Sequence, residues 1–148
     1  MRAMIAMTML ALAGCTQSTS TSGPAPEVRG GGLSPVPAFN GGGEGWSIDI
    51  TSTGGGAHDA SLVWASGSQR SDFKLFYRGQ PADAPSTLIV LSGEMRAGGA
   101  LRPVIVEIKR EPCKDDAGAS FLHSVSVTAE GVVPGTSQMR GCGHLAMR

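Results

Sequence analysis

The three cysteines carry the most reactive side chains of this sequence, and they lie far apart in the chain. Cys15 follows a short apolar segment, whereas Cys113 and Cys142 lie in the C-terminal third. A cysteine sulfur can be acylated, oxidised to a disulfide, or bound as a thiolate to a soft metal such as Zn²⁺ or Cu(I). Which of these applies to each sulfur depends on the compartment that the chain enters.

The N-terminal residues predict export and lipidation. Arg2 precedes an apolar run over residues 4–13, which is well short of the roughly 20 residues that a spanning helix needs. The run ends in Leu12-Ala13-Gly14-Cys15, which resembles the bacterial lipobox, where a signal peptidase cuts before the cysteine and its thiol is acylated. We therefore expect residues 1–14 to be a lipoprotein signal peptide and Cys15 to be the lipidated residue.

The predicted acyl chains place the protein at a membrane surface. Two or three such chains hold a protein there almost permanently. Thr16 follows Cys15, in place of the Asp associated with inner-membrane retention in enteric bacteria. Of the cell membrane and the outer membrane, the sequence therefore favours the outer membrane, with the protein facing the periplasm. The alternative is an ordinary secretory signal peptide with an incidental cysteine.

A segment rich in small and polar residues separates Cys15 from the apolar part of the chain. Residues 16–45 contain 8 Gly, 4 Pro and 7 Ser or Thr. Apolar side chains are too sparse there to offset the entropy of ordering the backbone. We therefore predict that residues 15–45 are the lipidated cysteine and a disordered linker, and that the folded domain spans residues 46–148.

The rest of the chain has the hydrophobic pattern of β-strands. Apolar and polar residues alternate, or form short apolar runs, and Gly- and Pro-rich turns separate these segments. The predicted strands lie near residues 46–51, 62–64, 73–78, 88–91, 104–109, 121–128 and 137–142. No window shows sustained helical periodicity. The pattern predicts an all-β domain, a small antiparallel barrel or sandwich of about seven strands.

Export also predicts the chemistry of the remaining two cysteines. If Cys15 carries lipid, Cys113 and Cys142 are left, and paired cysteines form disulfides in an oxidising compartment. Such a bridge closes a loop of about 30 residues, which the chain-entropy account equates with about 3.6 kcal/mol of stability. The alternative is a pair of free thiols, which together with His144 would form a metal or redox site.

Four stretches resemble a known family when they are taken in order. They are Gly43-Glu44-Gly45-Trp46-Ser47-Ile48, Cys113-Lys114-Asp115-Asp116-Ala117-Gly118, Val125-Ser126-Val127 and Arg140-Gly141-Cys142-Gly143. The order is similar to that of a family of uncharacterised bacterial envelope lipoproteins with Gly-x-Glu-Pro-Phe-Trp, Cys-x-Asp-x-Met-Ser and C-terminal Gly-Cys motifs. Gly45 replaces the Pro-Phe pair, so the chain resembles a divergent member. The resemblance spans residues 43–143 and implies an exported β-domain with a disulfide, without implying an activity.

The histidines and the acidic residues near Cys113 have ordinary structural interpretations. His123 lies on an apolar strand face with Val125 and Val127, which predicts a buried, hydrogen-bonded structural histidine. His58 follows a triple glycine, which predicts a solvated loop. Glu111, Asp115 and Asp116 lack the spacing of a calcium loop, so a solvated turn is expected there, with Asp115 bonded to backbone amides.

Charge and motifs exclude several classes of function. The chain has 12 basic and 12 acidic residues, so it has no excess of basic charge with which to bind nucleic acid. It has no phosphate-binding glycine motif and no Gly-x-Ser-x-Gly elbow or evident Ser/His/Asp set. We therefore predict no catalytic residues, no metal and no cofactor.

Three hypotheses for the function remain. The first is a non-enzymatic envelope lipoprotein that binds or shields another envelope component, with the lipid anchor in the membrane. The second is a lysozyme-type hydrolase inhibitor that inserts a Gly-rich loop, Gly54–His58 or Gly98–Gly99, into the active site of the enzyme. The third is the metal or redox site at Cys113, Cys142 and His144.

Overall fold

The computed structural model describes residues 28–29 and 33–146. The predicted signal peptide, Cys15 and half of the predicted linker lie outside these described residues. Every regular element in them is a β-strand. None of the described residues belongs to a helix with the length and hydropathy needed to span a membrane.

The described residues form ten strands. They are β1 (Val28–Arg29), β2 (Ala38–Gly43), β3 (Trp46–Gly54), β4 (Ala57–Trp64), β5 (Gln69–Tyr77), β6 (Gln80–Pro81), β7 (Leu88–Ala97), β8 (Ala100–Lys114), β9 (Ser120–Val133) and β10 (Thr136–Leu145). Eight of them close into an antiparallel barrel in the order β10-β2-β3-β4-β5-β7-β8-β9, and β1 pairs only with β6. The predicted all-β fold is confirmed, as a barrel and not a sandwich.

The eighth barrel strand, β2, comes from the predicted linker. The seven predicted strands match β3, β4, β5, β7, β8, β9 and β10, and β2 closes the barrel between β3 and β10. Val36 and Phe39 are fully buried. The folded part therefore includes Val36 and Phe39, which lie before the predicted domain start at Trp46.

The sequence pattern did not predict β2, because three of its six residues are glycines, which are uncommon inside strands. In the structure, these glycines allow close packing. A Cβ at Gly41 would lie 2.6 Å from the ring of Phe39, and one at Gly42 would lie 2.5 Å from the carbonyl oxygen of Trp46. Glycine ordinarily weakens a strand. Here the side chain of Phe39 and pairing to two neighbouring strands compensate.

The interior of the barrel is filled by apolar side chains from alternate positions of the strands. The residues in this core that are at most 2% exposed include Ile48, Ile50, Leu62, Leu75, Leu91, Met95, Val104, Val106, Ile108, Val125 and Val127. Filling by side chains is typical of barrels with eight strands. The sites that bear on function therefore lie at the ends and on the outer face.

Because neighbouring strands alternate in direction, the connections gather at two ends. The upper end carries the turns at residues 44–45, 65–68, 98–99 and 134–135. The lower end carries the turn at residues 55–56, the connections 78–87 and 115–119, and the segment 33–37 that leads into β2.

Candidate functional site

Cys113 and Cys142 form a disulfide with a Cα–Cα distance of 5.6 Å. Cys113 pairs with Phe121 of β9, and Cys142 of β10 pairs with Ser124 of β9. The bridge therefore spans β9 and joins the end of β8 to β10. This agrees with the disulfide predicted from the sequence.

The hypothesis of a metal site at these cysteines finds little support. Both sulfurs are used in the disulfide and are not available as thiolate ligands. His144 lies two residues after Cys142 and is exposed. Across residues 33–146, no three His, Cys, Asp or Glu side chains are grouped so that they could hold a metal ion.

An open groove of about 470 Å³ lies on the outer face of β8, β9 and β10, beside the disulfide. Lys109 Nζ lies 2.6 Å from Glu111 Oε2, and the hydroxyl of Ser124 donates to Glu111 Oε1 at 2.6 Å. These two partners, Lys109 first, lower the pKa of Glu111. The hydroxyl of Ser126 likewise donates to Glu107 at 3.0 Å. The charged and hydroxyl groups of this outer groove thus bond to one another, as expected of a surface with a structural role.

Asp115 organises the connection between β8 and β9. Its carboxylate accepts a hydrogen bond from the backbone N–H of Ala119 at 2.7 Å, and its carbonyl accepts one from Gly118 N–H at 2.9 Å. The sequence predicts this role in the turn. Asp115 therefore has the role predicted for it, whereas Glu111 lies within β8 and not in the predicted turn.

The upper end contains a cleft of about 340 Å³, here called the upper cleft, between the turns at residues 44–45 and 65–68 and the start of β10. Both tryptophans of the chain line it, because the register that pairs Ser47 with Val63 brings the start of β3 next to the end of β4. Trp64 is buried at its base and Trp46 is half-buried. Glu44, Ser66 and Gln138 add polar groups to the lining.

One turn beside this cleft has an unfavourable backbone. Ala65 and Ser66 have φ values of 52° and 54°, in the left-handed region that L-residues avoid. Each such residue costs about 1–2 kcal/mol. The N–H of Ser66 donates to the carbonyl of Gly45 at 3.0 Å, which ties this turn to the turn between β2 and β3. The surrounding structure therefore holds a strained turn at the edge of the upper cleft, a feature that is often found at functional sites.

A second, wider cleft of about 700 Å³ lies on the other side of Trp46. It shares Glu44 and Trp46 with the upper cleft, and its lining also includes Phe121 and His144. A Cβ at Gly43 would lie 2.7 Å from Trp46 Nε1. Glycine at this position therefore allows the indole to stand between the two clefts.

The prediction that His58 lies in a solvated loop is wrong. Only Gly55 and Gly56 form the turn, both with positive φ, so β4 begins at Ala57 and His58 points into the barrel. His58 is fully buried, with Nε2 3.2 Å from the carbonyl oxygen of Val36. Its Nδ1 is buried and has no hydrogen-bond partner among the residues that the structure describes.

His123 is buried, as predicted, but the predicted hydrogen bond is not found at Nδ1, which has no partner in the described part of the chain. Its ring meets that of Phe39 edge to face, with centroids 6.5 Å apart. Burial, and then the positive charges of Arg110 and His144, lower the pKa of His123. The neutral imidazole therefore behaves as part of the core.

The two loops of the inhibitor hypothesis are short turns. The predicted loop Gly54–His58 is reduced to Gly55–Gly56, and Gly98–Gly99 is also a two-residue turn. Both residues of each turn have positive φ, as in the tight hairpins that glycine permits. Neither turn has the length to extend deep into the cleft of an enzyme.

The sequence predictions did not identify the upper cleft. The feature of the sequence that could have indicated this cleft was the pair of tryptophans, Trp46 and Trp64, in a chain with only 5% aromatic residues.

No family model matches the chain, and neither a curated protein nor a solved structure is significantly similar to it.

Proposed function

We propose that this protein is a lipid-anchored, non-enzymatic envelope protein that binds another envelope component at the upper end of its barrel. The observation that carries this proposal is the upper cleft, in which both tryptophans and a strained turn meet. An amphipathic cleft with a large aromatic surface and a few polar groups is typical of a binding site. The lipobox-like residues before Cys15 support the anchor.

The position of the cleft suits an anchored binding protein. The segment 33–37, through which the predicted linker joins the barrel, lies at the lower end. The upper cleft is at the opposite end, since β2 runs from Ala38 at the lower end to Gly43 at the upper end. An anchor attached through the linker would therefore leave the upper cleft facing away from its point of attachment.

The anchor and the binding role are tested separately. Metabolic labelling with a fatty-acid analogue should label the wild-type protein and leave Cys15→Ser unlabelled, since the acyl chains are attached to that sulfur. A Cys15→Ser protein that is labelled as strongly as the wild type would contradict the anchor.

For the binding role, the full-length protein would be cross-linked in intact cells, and its adducts compared with those of Trp46→Ala. We expect a specific adduct that this substitution removes. Phe76→Ala is the matched control, because Phe76 is an aromatic residue on the outer face of β5, 41% exposed and outside the upper cleft. An adduct that survives Trp46→Ala, or turnover of a substrate by the pure protein, would contradict the proposal.

Inhibition of a lysozyme-type hydrolase has less support, because both candidate loops are two-residue turns. The purified protein should leave the rate of a lysozyme assay unchanged at micromolar excess. Inhibition that Gly98→Ala or Gly55→Ala abolishes would instead favour the inhibitor hypothesis, since these substitutions alter only the turns.

A further inference from the structure

We infer that the upper cleft binds a saccharide without net negative charge, such as a segment of an envelope glycan. This inference rests on the proposed binding function and names the class of ligand. A sugar ring has one apolar C–H face and a rim of hydroxyl groups. The upper cleft has the matching arrangement, an aromatic wall with hydrogen-bonding groups at its edge.

The size of the cleft fits a short oligosaccharide. Its volume of about 340 Å³ lies at the lower end of the range of roughly 300–1,000 Å³ for small-molecule sites. Because the cleft opens to solvent between two turns, a longer chain could extend beyond it. The second cleft lies on the other side of Trp46 and shares Trp46 and Glu44 with the upper cleft.

The aromatic wall supplies the apolar contact. Trp46 is half-buried, so its indole is held by the core while part of it faces the cleft. Val133 also lines the cleft, together with the buried residues Trp64 and Met139. A tryptophan held in this way provides a rigid contact surface at low cost in conformational entropy.

The polar groups at the edge fit hydroxyl ligands. Glu44 and Ser66 are exposed on the two turns that flank the cleft. Gln138 is already oriented, because its Oε1 accepts a hydrogen bond from Arg140 Nε at 2.9 Å and its Nε2 donates one to Thr128 Oγ1 at 3.4 Å. A carboxylate can accept hydrogen bonds from hydroxyl groups, and it repels anionic ligands. The single charge of Glu44 therefore favours neutral or amino sugars over acidic ones.

A fatty acyl chain fits less well. It could cover Trp46 and Val133, but it would offer no hydrogen bond to Glu44 or Ser66, and polar groups that lose water without a partner oppose binding. A sugar satisfies both parts of the cleft. A protein segment is the remaining alternative, and the experiment below distinguishes it.

The test is a titration of the full-length protein in detergent with neutral tetrasaccharides, chitotetraose and maltotetraose, followed by tryptophan fluorescence. Both tryptophans line the cleft, so binding should change their emission. We expect saturation with at least one of the two sugars, and a weaker response to a uronic-acid tetrasaccharide. If neither neutral sugar saturates by about 10 mM, the inference is wrong.

Variants locate the site. Trp46→Ala should weaken the affinity for the neutral sugar about tenfold or more, and Phe76→Ala should leave it unchanged. Isothermal calorimetry provides a second readout for the tryptophan variant. Because Trp46→Ala could affect folding, Glu44→Lys on the exposed turn provides an independent check and should also weaken binding. An unchanged affinity in Glu44→Lys would overturn the assignment to this cleft.

The sugar class and the proposed function fail in different ways. If cross-linking in cells depends on Trp46 but no sugar binds, the ligand is of another class, such as a protein segment, and the proposed function survives. If neither cross-linking nor sugar binding depends on Trp46, the upper cleft is not the binding site and both proposals fail.

Discussion

The two ends of the barrel are built from the same strands but differ in what closes them. At the lower end, the segment 33–37 places Val36 under the barrel, and Phe39, His58 and His123 fill the space above it. At the upper end, short turns surround Trp46 without covering it. The lower end is therefore packed, whereas the upper end leaves a cleft.

The energetic costs at the two ends differ in kind. At the lower end, the Nδ1 atoms of His58 and His123 are buried and lack a hydrogen-bond partner among the described residues. Apolar packing around the two rings offsets the cost of burying these polar atoms. The upper end keeps Ala65 and Ser66 in an unfavourable backbone conformation at the surface. Strain next to an open cleft is more readily explained by binding than by stability. We therefore expect substitutions at the lower end to affect stability and those at the upper end to affect binding.

The largest effect is expected for Phe39→Ala at the lower end. Phe39 is fully buried against Gly41, Gly143 and His123. Loss of a buried phenylalanine ring typically costs about 3–5 kcal/mol. Urea unfolding followed by circular dichroism should show this loss. Phe76→Ala should cost much less, since Phe76 is 41% exposed, and equal losses would contradict the difference in packing.

Removal of the disulfide should come next. The double variant Cys113→Ser/Cys142→Ser loses the constraint on a loop with a sequence separation of 29, which corresponds to about 3.6 kcal/mol. The bridge lies on the outer face of the barrel, so the fluorescence of the two tryptophans should be preserved in the folded variant. Reduction of the wild type should reproduce the loss of stability, and a reduced protein as stable as the oxidised one would contradict it.

Acid should weaken the lower end through His123. Its pKa is lowered by burial and by Arg110 and His144, so the unfolded chain binds the proton more tightly than the folded one. Stability should therefore be full at neutral pH and fall as the pH drops below about 6.5, the value for an unperturbed histidine. The decrease should end once the pH has passed the lower pKa of the folded state.

Two variants assign this pH dependence. His123→Leu should reduce the slope of unfolding free energy against pH below 6.5, because the buried group that must gain a proton is gone. His144→Gln, at an exposed position, should retain most of the slope. A slope that is the same in His123→Leu and in the wild type would assign the effect to other groups.

The smallest effect is expected at the strained turn. Ser66→Gly removes the Cβ at a residue with φ of 54°, so it should raise the free energy of unfolding by about 0.5–1 kcal/mol. The same change removes a hydroxyl from the edge of the upper cleft and should weaken sugar binding. If the variant is less stable than the wild type, the turn is not strained in the way proposed.

The local pattern of the sequence was sufficient for most of the fold. Alternation in stretches such as Trp46–Ile50 and Val104–Ile108 predicted strands correctly, because one face of a barrel strand is buried and the other is exposed. The expectation of export predicted the Cys113–Cys142 pair. The local pattern could not predict β2, since a Gly-rich segment becomes a strand only when two neighbours pair with it.

Residue types, their alternation and their turns thus determined that the chain forms antiparallel strands with an interior core and a disulfide. Only the tertiary structure decided that the barrel closes through β2, that His58 points inward, and that Trp46 and Trp64 share a cleft with Glu44 and Ser66. Strand formation depends on neighbours in the chain, whereas closure, register and the coverage of each end depend on contacts between distant segments. The candidate site belongs to this second group because its lining comes from two separate turns and from the adjoining ends of β9 and β10.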